Sequence, residues 1–148
     1  MPLTGTYSRA VDEKGRLPLP KPLRDAMGCT TGGVLYLAPG TDGALALYSE
    51  DAFTRLADRL TQFPPAGRDV RAFARLFYGR AHRVELDRQG RIRIPPELAE
   101  LVELGKDAVV LGVQDHVEIW PKDRWSRYLA ERQKDFDTIA EAALGTVR

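Results

Sequence analysis

The feature that most constrains this chain is an internal repeat. Asp12-Glu13-Lys14-Gly15-Arg16-Leu17-Pro18-Leu19-Pro20 lies over Asp87-Arg88-Gln89-Gly90-Arg91-Ile92-Arg93-Ile94-Pro95 at an offset of 75 residues. The same offset sets Leu23 over Leu98 and Val34-Leu35 over Val109-Val110. Beyond a shorter second loop the offset becomes 72, with Leu45, Leu47, Tyr48, Asp51 and Phe53 over Val117, Ile119, Trp120, Asp123 and Trp125. One period with a single gap of three residues marks a duplicated unit. A unit of about 45 residues is too small to build a sufficient core alone. The two copies are therefore expected to pack as an intrachain pseudo-dimer, their short strands interleaving across a pseudo-twofold.

Each copy reads alike. A strand (5–11, then 80–86) enters a tight turn at Gly15 or Gly90, where glycine tolerates the positive φ of a hairpin. A short alternating strand follows, and Arg91-Ile92-Arg93-Ile94 sets basic side chains on one face and apolar ones on the other. Pro20-Lys21-Pro22 and Pro95-Pro96 stop that strand and suit the first turn of a short helix. Two further strands per copy (34–38 with 44–48, and 108–113 with 116–120) flank turns at Pro39–Gly43 and Gln114-Asp115. Phe53, Leu56, Ala57 and Leu60 mark an amphipathic helix whose start is repeated by Trp125, Tyr128 and Leu129. Phe63-Pro64-Pro65-Ala66-Gly67 breaks the first helix, and a linker helix follows with Val70, Phe73, Ala74 and Phe77 on one face and Arg68, Arg71 and Arg75 on the other. Phe136–Leu144 reads as a short or frayed helix. Tyr48, Trp120, Phe53 and Trp125 are read as packing residues. The class is mainly β with short helices (α+β).

Composition removes several functions. No apolar run approaches the ~20 residues that span a bilayer, and Met1–Gly5 has neither the basic nor the apolar region of a signal peptide. Cys29 is the lone cysteine, which fits a reducing compartment, and with only His82 and His116 beside it no structural zinc set is expected. No phosphate loop, metal spacing or nucleophile motif suggests an enzyme or a cofactor. Net charge is only +1, but it is unevenly spread. Residues 68–93 carry eight arginines against three carboxylates, whereas 94–148 carry seven basic and eleven acidic side chains. Such a polarised chain can bind a polyanion locally.

The two Asp-x-x-x-Arg motifs, Asp12…Arg16 and Asp87…Arg91, each follow a strand and precede an alternating strand ending in proline. With the duplication and the chain length, this pattern resembles the MraZ family, whose halves belong to the SpoVT-AbrB swapped-hairpin superfamily; the resemblance runs from Gly5 to Arg132. It implies two AbrB-like β-barrel units (5–53 and 80–125), joined by amphipathic helices and a linker (54–78) and followed by a C-terminal helix and tail (126–148). It further implies a ring-like homo-oligomer in the cytoplasm, on the nucleoid. Its DNA target would be promoter DNA with short direct repeats, in the division and cell-wall gene cluster that includes its own promoter. DNA contacts are implied for Lys14, Arg16, Lys21 and Arg24, with Arg9 on the incoming strand. Arg88, Arg91 and Arg93 are further contributors from the second copy.

Two roles stay open for Arg16 and Arg91: pairing with the turn aspartate, or bidentate contact with guanine or phosphate. Asp12, Gly15, Asp87 and Gly90 are motif residues that shape the turns. Lys21 and Arg24 follow the first hairpin, whereas Glu97, Glu100 and Glu103 follow the second, so the first is the better DNA-facing candidate. A protein-interaction or antitoxin-like module on the same fold is the alternative.

Overall fold

The computed structural model describes residues 2–64 and 67–145; Pro65 and Ala66, the centre of the expected helix break, lie outside the described residues. The first copy contains β1 (Thr6–Ala10), β2 (Arg16–Pro18), α1 (Lys21–Met27), β3 (Val34–Pro39), β4 (Leu45–Ser49) and α2 (Glu50–Leu60). After α3 (Arg68–Phe77) the second copy repeats them as β5 (His82–Glu85), β6 (Arg91–Arg93), α4 (Pro96–Leu101), β7 (Asp107–Val113), β8 (His116–Pro121) and α5 (Lys122–Gln133), and α6 (Phe136–Leu144) closes the order. The outer strands are a residue or two shorter at each end than their sequence patterns.

The copies exchange strands. An antiparallel six-stranded sheet has the order β1-β7-β8-β4-β3-β5, and β2 and β6 form a separate two-stranded ribbon. The first strand of each copy thus pairs with the third strand of the other: Tyr7 lies opposite Val110, and Leu35 opposite Val84. The order is a palindrome because a pseudo-twofold passes through it. In the ribbon that axis falls at Leu17 opposite Ile92, which are also equivalent residues of the repeat, and in the sheet at Ala46 opposite Glu118.

The core sits between ribbon and sheet. Leu17, Ile92, Leu23, Leu98, Leu37, Leu47, Val110 and Ile119 are all fully or almost fully buried. Each short helix starts after a proline, Pro20 or Pro95, and drives one leucine, Leu23 or Leu98, into this core. The longer helices cover the outside of the sheet. On α2, Phe53 stacks on Tyr36 with centroids 4.5 Å apart, and next to α5, Trp120 meets Trp125 edge-on at 5.2 Å. Tyr48 joins this layer, 6.0 Å from Phe77 of α3. The aromatic residues therefore pack, as their spacing suggested. Ser49 caps α2 by accepting the Ala52 amide at 3.2 Å.

Two expectations are corrected. The strands do not close into barrels: β1 and β5 are the edges of the sheet, and beyond the turn bonds from the Asp12 amide to the Arg16 carbonyl and from the Asp87 amide to the Arg91 carbonyl, β2 and β6 form their ladder with each other and not with β1 and β5. The alignment of the third strands also moves. Val34 lies opposite Glu85 and Asp107 opposite Ala10, so Val34 corresponds to Asp107, an offset of 73, and not to Val109. Two of the three missing residues therefore fall before β7, and only the last falls in the β7–β8 turn. Both Val34-Leu35 and Val109-Val110 satisfied an apolar pattern, and only hydrogen-bond register separates the two frames.

Because each copy's core depends on the other's strands, the protein should unfold in one step. Truncating Leu17 or Ile92 to alanine leaves a cavity at the axis, with an expected loss of roughly 2–5 kcal/mol. Urea unfolding followed by tryptophan fluorescence and by circular dichroism should give coincident transitions in both variants. Separate transitions for the two halves would contradict the strand exchange.

Candidate nucleic-acid interface

The two turns are built identically. Asp12 Oδ1 accepts the amides of Lys14 at 2.9 Å and Arg16 at 2.8 Å, while its Oδ2 accepts Arg16 Nε at 2.7 Å. Asp87 repeats this with the amides of Gln89 and Arg91 at 2.8 and 2.9 Å and with Arg91 Nε at 2.9 Å. Each turn is closed by a glycine amide bonding back to the aspartate carbonyl, Gly15 to Asp12 at 3.0 Å and Gly90 to Asp87 at 3.1 Å. Both glycines have left-handed φ, +80° and +74°, which side chains adopt only with strain. The aspartates thus organise the hairpins, and the same bonds set their titration. The Arg16 amide does most to hold Asp12 below the ordinary carboxylate value; burial opposes it, and the Arg16 guanidinium and the Lys14 amide add to the lowering. Burial pushes Asp87 up, but the amide and guanidinium of Arg91 outweigh it and leave it lowered as well.

The hairpins meet through the ribbon. Arg16 stands opposite Arg93, and Pro18 opposite Arg91, so three guanidinium groups rise from one face. The other face, with Leu17, Leu19, Ile92 and Ile94, is buried. Period-two alternation across a half-buried ribbon gives this separation of arginine from leucine. Lys14 and Arg88, both exposed, sit at the two turns. Among the described residues Lys14, Arg88 and Arg93 have no carboxylate within ion-pair distance; Arg16 and Arg91 are held by Asp12 and Asp87. The arginines are not equivalent. Arg16 has a side chain 35% exposed and one acidic partner, whereas Arg91 is 24% exposed and also lies 3.9 Å from Asp12.

The remaining candidates are placed apart from this face or are otherwise engaged. Arg9 lies over the Tyr7 ring on β1, 5.5 Å from its centroid, and donates to the Ser8 carbonyl. Lys21 is paired with Asp25 at 2.8 Å on the exposed side of α1. Arg24 turns inward: half-buried, it donates from Nε to the Leu19 carbonyl at 3.0 Å and lies against Gly90. The acidic residues of the second copy are partly spoken for, Glu97 by His82 and Glu103 by Arg124. One cation was missed by sequence reasoning. Lys106 lines an open groove beside the first hairpin together with Lys14, Arg16 and Arg93. It precedes β7, and only the exchange of β1 onto β7 brings it there, with its carbonyl accepting the Val11 amide at 2.8 Å.

A duplicated, strand-exchanged α+β fold with an arginine-bearing ribbon on its pseudo-axis defines a tandem swapped-hairpin protein. The profile of the family described as "MraZ protein, putative antitoxin-like" matches twice, over residues 3–76 and 77–147. The Transcriptional regulator MraZ of Clostridium beijerinckii is 42% identical over 137 residues, 93% of each chain. That of Alkaliphilus metalliredigens is 40% identical over 136 residues, 92% of each, and that of Salinispora arenicola is 39% identical over 140 residues, 95% of this chain and 96% of the relative. This chain belongs to the MraZ family. No helix among the described residues is long and apolar enough to cross a membrane.

The lowered aspartates carry a pH dependence of definite sign. A carboxyl whose folded pKa is depressed contributes stability above its ordinary value, 3.8, and that stability is lost as pH falls through the lowered folded value. Thermal midpoints should fall between about pH 5 and about pH 2. They should fall less steeply in Asp12→Asn/Asp87→Asn, where an amide oxygen still accepts the turn amides but no longer titrates. An equally steep acid limb would remove the turns from the account of acid stability.

Proposed function

We propose that this chain is a sequence-specific DNA-binding transcriptional regulator that docks through the outer face of its two-stranded ribbon. The observation that carries this reading is the set of cations on and beside the pseudo-axis. Arg16, Arg91 and Arg93 rise from one face, Lys14 and Arg88 flank it, and three of the five lack an acidic partner among the described residues. Phosphates would draw in Lys14 and Arg88 with release of counterions. Arg16, held to Asp12 by its Nε, keeps both terminal nitrogens to present a bidentate fork to guanine, whereas one terminal nitrogen of Arg91 already faces Asp12. The names of the relatives support the same class. The family resemblance adds the finer proposals: a ring-like homo-oligomer, operators of short direct repeats, control of the division and cell-wall gene cluster including its own promoter, and residence on the nucleoid. No catalytic step is proposed.

Arg9, Lys21 and Arg24 are assigned secondary parts. Arg24 contributes chiefly by bracing the second turn at Gly90, and Lys21 supplies a peripheral charge.

The difference between the two motif arginines tests the proposal. In Arg16→Ala, binding to a duplex from upstream of the protein's own gene should weaken by roughly one to two orders of magnitude per contact site, the equivalent of ~1–3 kcal/mol. Avidity in an oligomer enlarges that loss. Arg91→Ala should weaken binding less and lower the thermal midpoint at least as much, because Arg91 is the more buried and touches both aspartates. Removing Lys14 should flatten the salt dependence. Equal binding by all three variants and the wild type would place the DNA site elsewhere.

A further inference from the structure

Strand exchange lays each hairpin against the short helix of the other copy, and the two seams differ. At the second hairpin the seam is filled. The Arg24 guanidinium lies so close to Gly90 that a Cβ there would meet its Cζ at 2.8 Å, and Arg24 Nε donates to the Leu19 carbonyl at 3.0 Å. In the repeat, Arg24 corresponds to Ala99, Gly90 to Gly15 and Leu19 to Ile94. A methyl group therefore stands where an arginine stands in the other copy. A Cβ on Gly15 would meet the Ile94 carbonyl oxygen at 3.2 Å and no side chain within 4 Å. The first seam is an open groove of about 830 Å³.

Its lining is specific. Val11, Ile94, Pro96, Ala99 and Leu104 make an apolar floor, and Lys14, Arg93 and Lys106 stand around it. Arg16 and Asp12 also line it but neutralise each other at 2.7 Å. Glu13 alone opposes the three remaining cations, none of which has an ion-pair partner among the described residues. The volume falls in the range of small-molecule sites, and an apolar wall with a few convergent charged groups is their usual chemistry. A second guanidinium is not the guest, because the surrounding charge is positive.

We propose that this groove binds a small organic anion with an apolar body. Its carboxylate, sulfonate or phosphate head would meet Lys14, Arg93 and Lys106, and its hydrocarbon or aromatic part would cover Ala99 and Leu104. Lys14 and Arg93 also belong to the proposed DNA face, so the bound anion competes with DNA and makes the protein ligand-responsive. That second part rests on the proposed function, whereas the groove itself does not.

The test uses the full chain and the fluorescent anion 1-anilinonaphthalene-8-sulfonate. The wild type should bind it saturably. Ala99→Arg, which copies the plug already present in the other seam, should weaken that binding at least tenfold, and Lys106→Glu at an exposed rim position should weaken it severalfold. Leu76→Ser, in the exposed apolar face of α3, should leave this site unchanged. Unaltered titrations in both Ala99→Arg and Lys106→Glu would overturn the site, and Lys106→Glu decides alone should thermal melts show Ala99→Arg misfolded. Upstream duplex DNA should then displace the probe from the wild type. Simultaneous binding of probe and DNA would overturn the competition, while DNA that fails to bind without probe would strike the regulator reading and leave the groove standing.

Discussion

Leu17 and Ile92 meet at the pseudo-twofold, each almost completely buried, and most of the structure depends on that contact. It joins the two hairpins into one ribbon, and the ribbon brings the first strand of each copy over the third strand of the other. A copy by itself has a four-strand unit with nothing to cover its apolar face. The pair has a single main core, in which Leu23 and Leu98 from the short helices are buried. Since side chains alternate along a strand, committing Leu17 and Ile92 to the core commits Arg16, Arg91 and Arg93 to solvent. The residues that hold the fold together thus also present its cations, and the aspartates that shape the turns hold two of those cations in fixed orientation.

Around this symmetric frame the copies have diverged. Gly28 ends α1 with φ +68°, and Glu103 occupies the equivalent left-handed position after α4 with φ +57°, where most side chains are strained. Arg124 anchors that segment, pairing with Glu103 at 3.1 Å and donating to the Gly43 carbonyl of the first copy at 2.9 Å. Arg24 against Ala99 is the same kind of difference, with one seam plugged and the other open. Lys21 and Asp25 give way to Pro96 and Glu100. The copies share the Asp, Gly and Arg of the hairpin turns and apolar residues at the core positions, and they differ along the short helices and at the two seams.

Much of this was readable in the sequence because it depends on local rules. The repeat, the glycines at positive φ, the prolines that open α1 and α4 and the arginine-isoleucine alternation all state their structural consequences directly. Register is different. Val34-Leu35 and Asp107-Ala108 are equivalent in the sheet, yet Val109-Val110 matched the apolar pattern equally well, and no local preference decides between them. The open sheet likewise follows from pairing between distant strands. Arg24 reads as a surface cation next to Lys21, and its inward turn comes from a gap that Gly90 leaves in the partner hairpin. Lys106 carried no signal at all, because its place in the groove depends on a strand from the other copy.

The shared ribbon, and not the helical surface, is proposed to face DNA. Photo-crosslinking tests it with the full chain. A benzophenone side chain is placed either at Gln89, exposed at the second turn, or at Glu131, exposed on α5, and irradiated with the upstream duplex. A protein–DNA adduct is expected from Gln89 and none from Glu131; an adduct from Glu131 alone would contradict a DNA-facing ribbon.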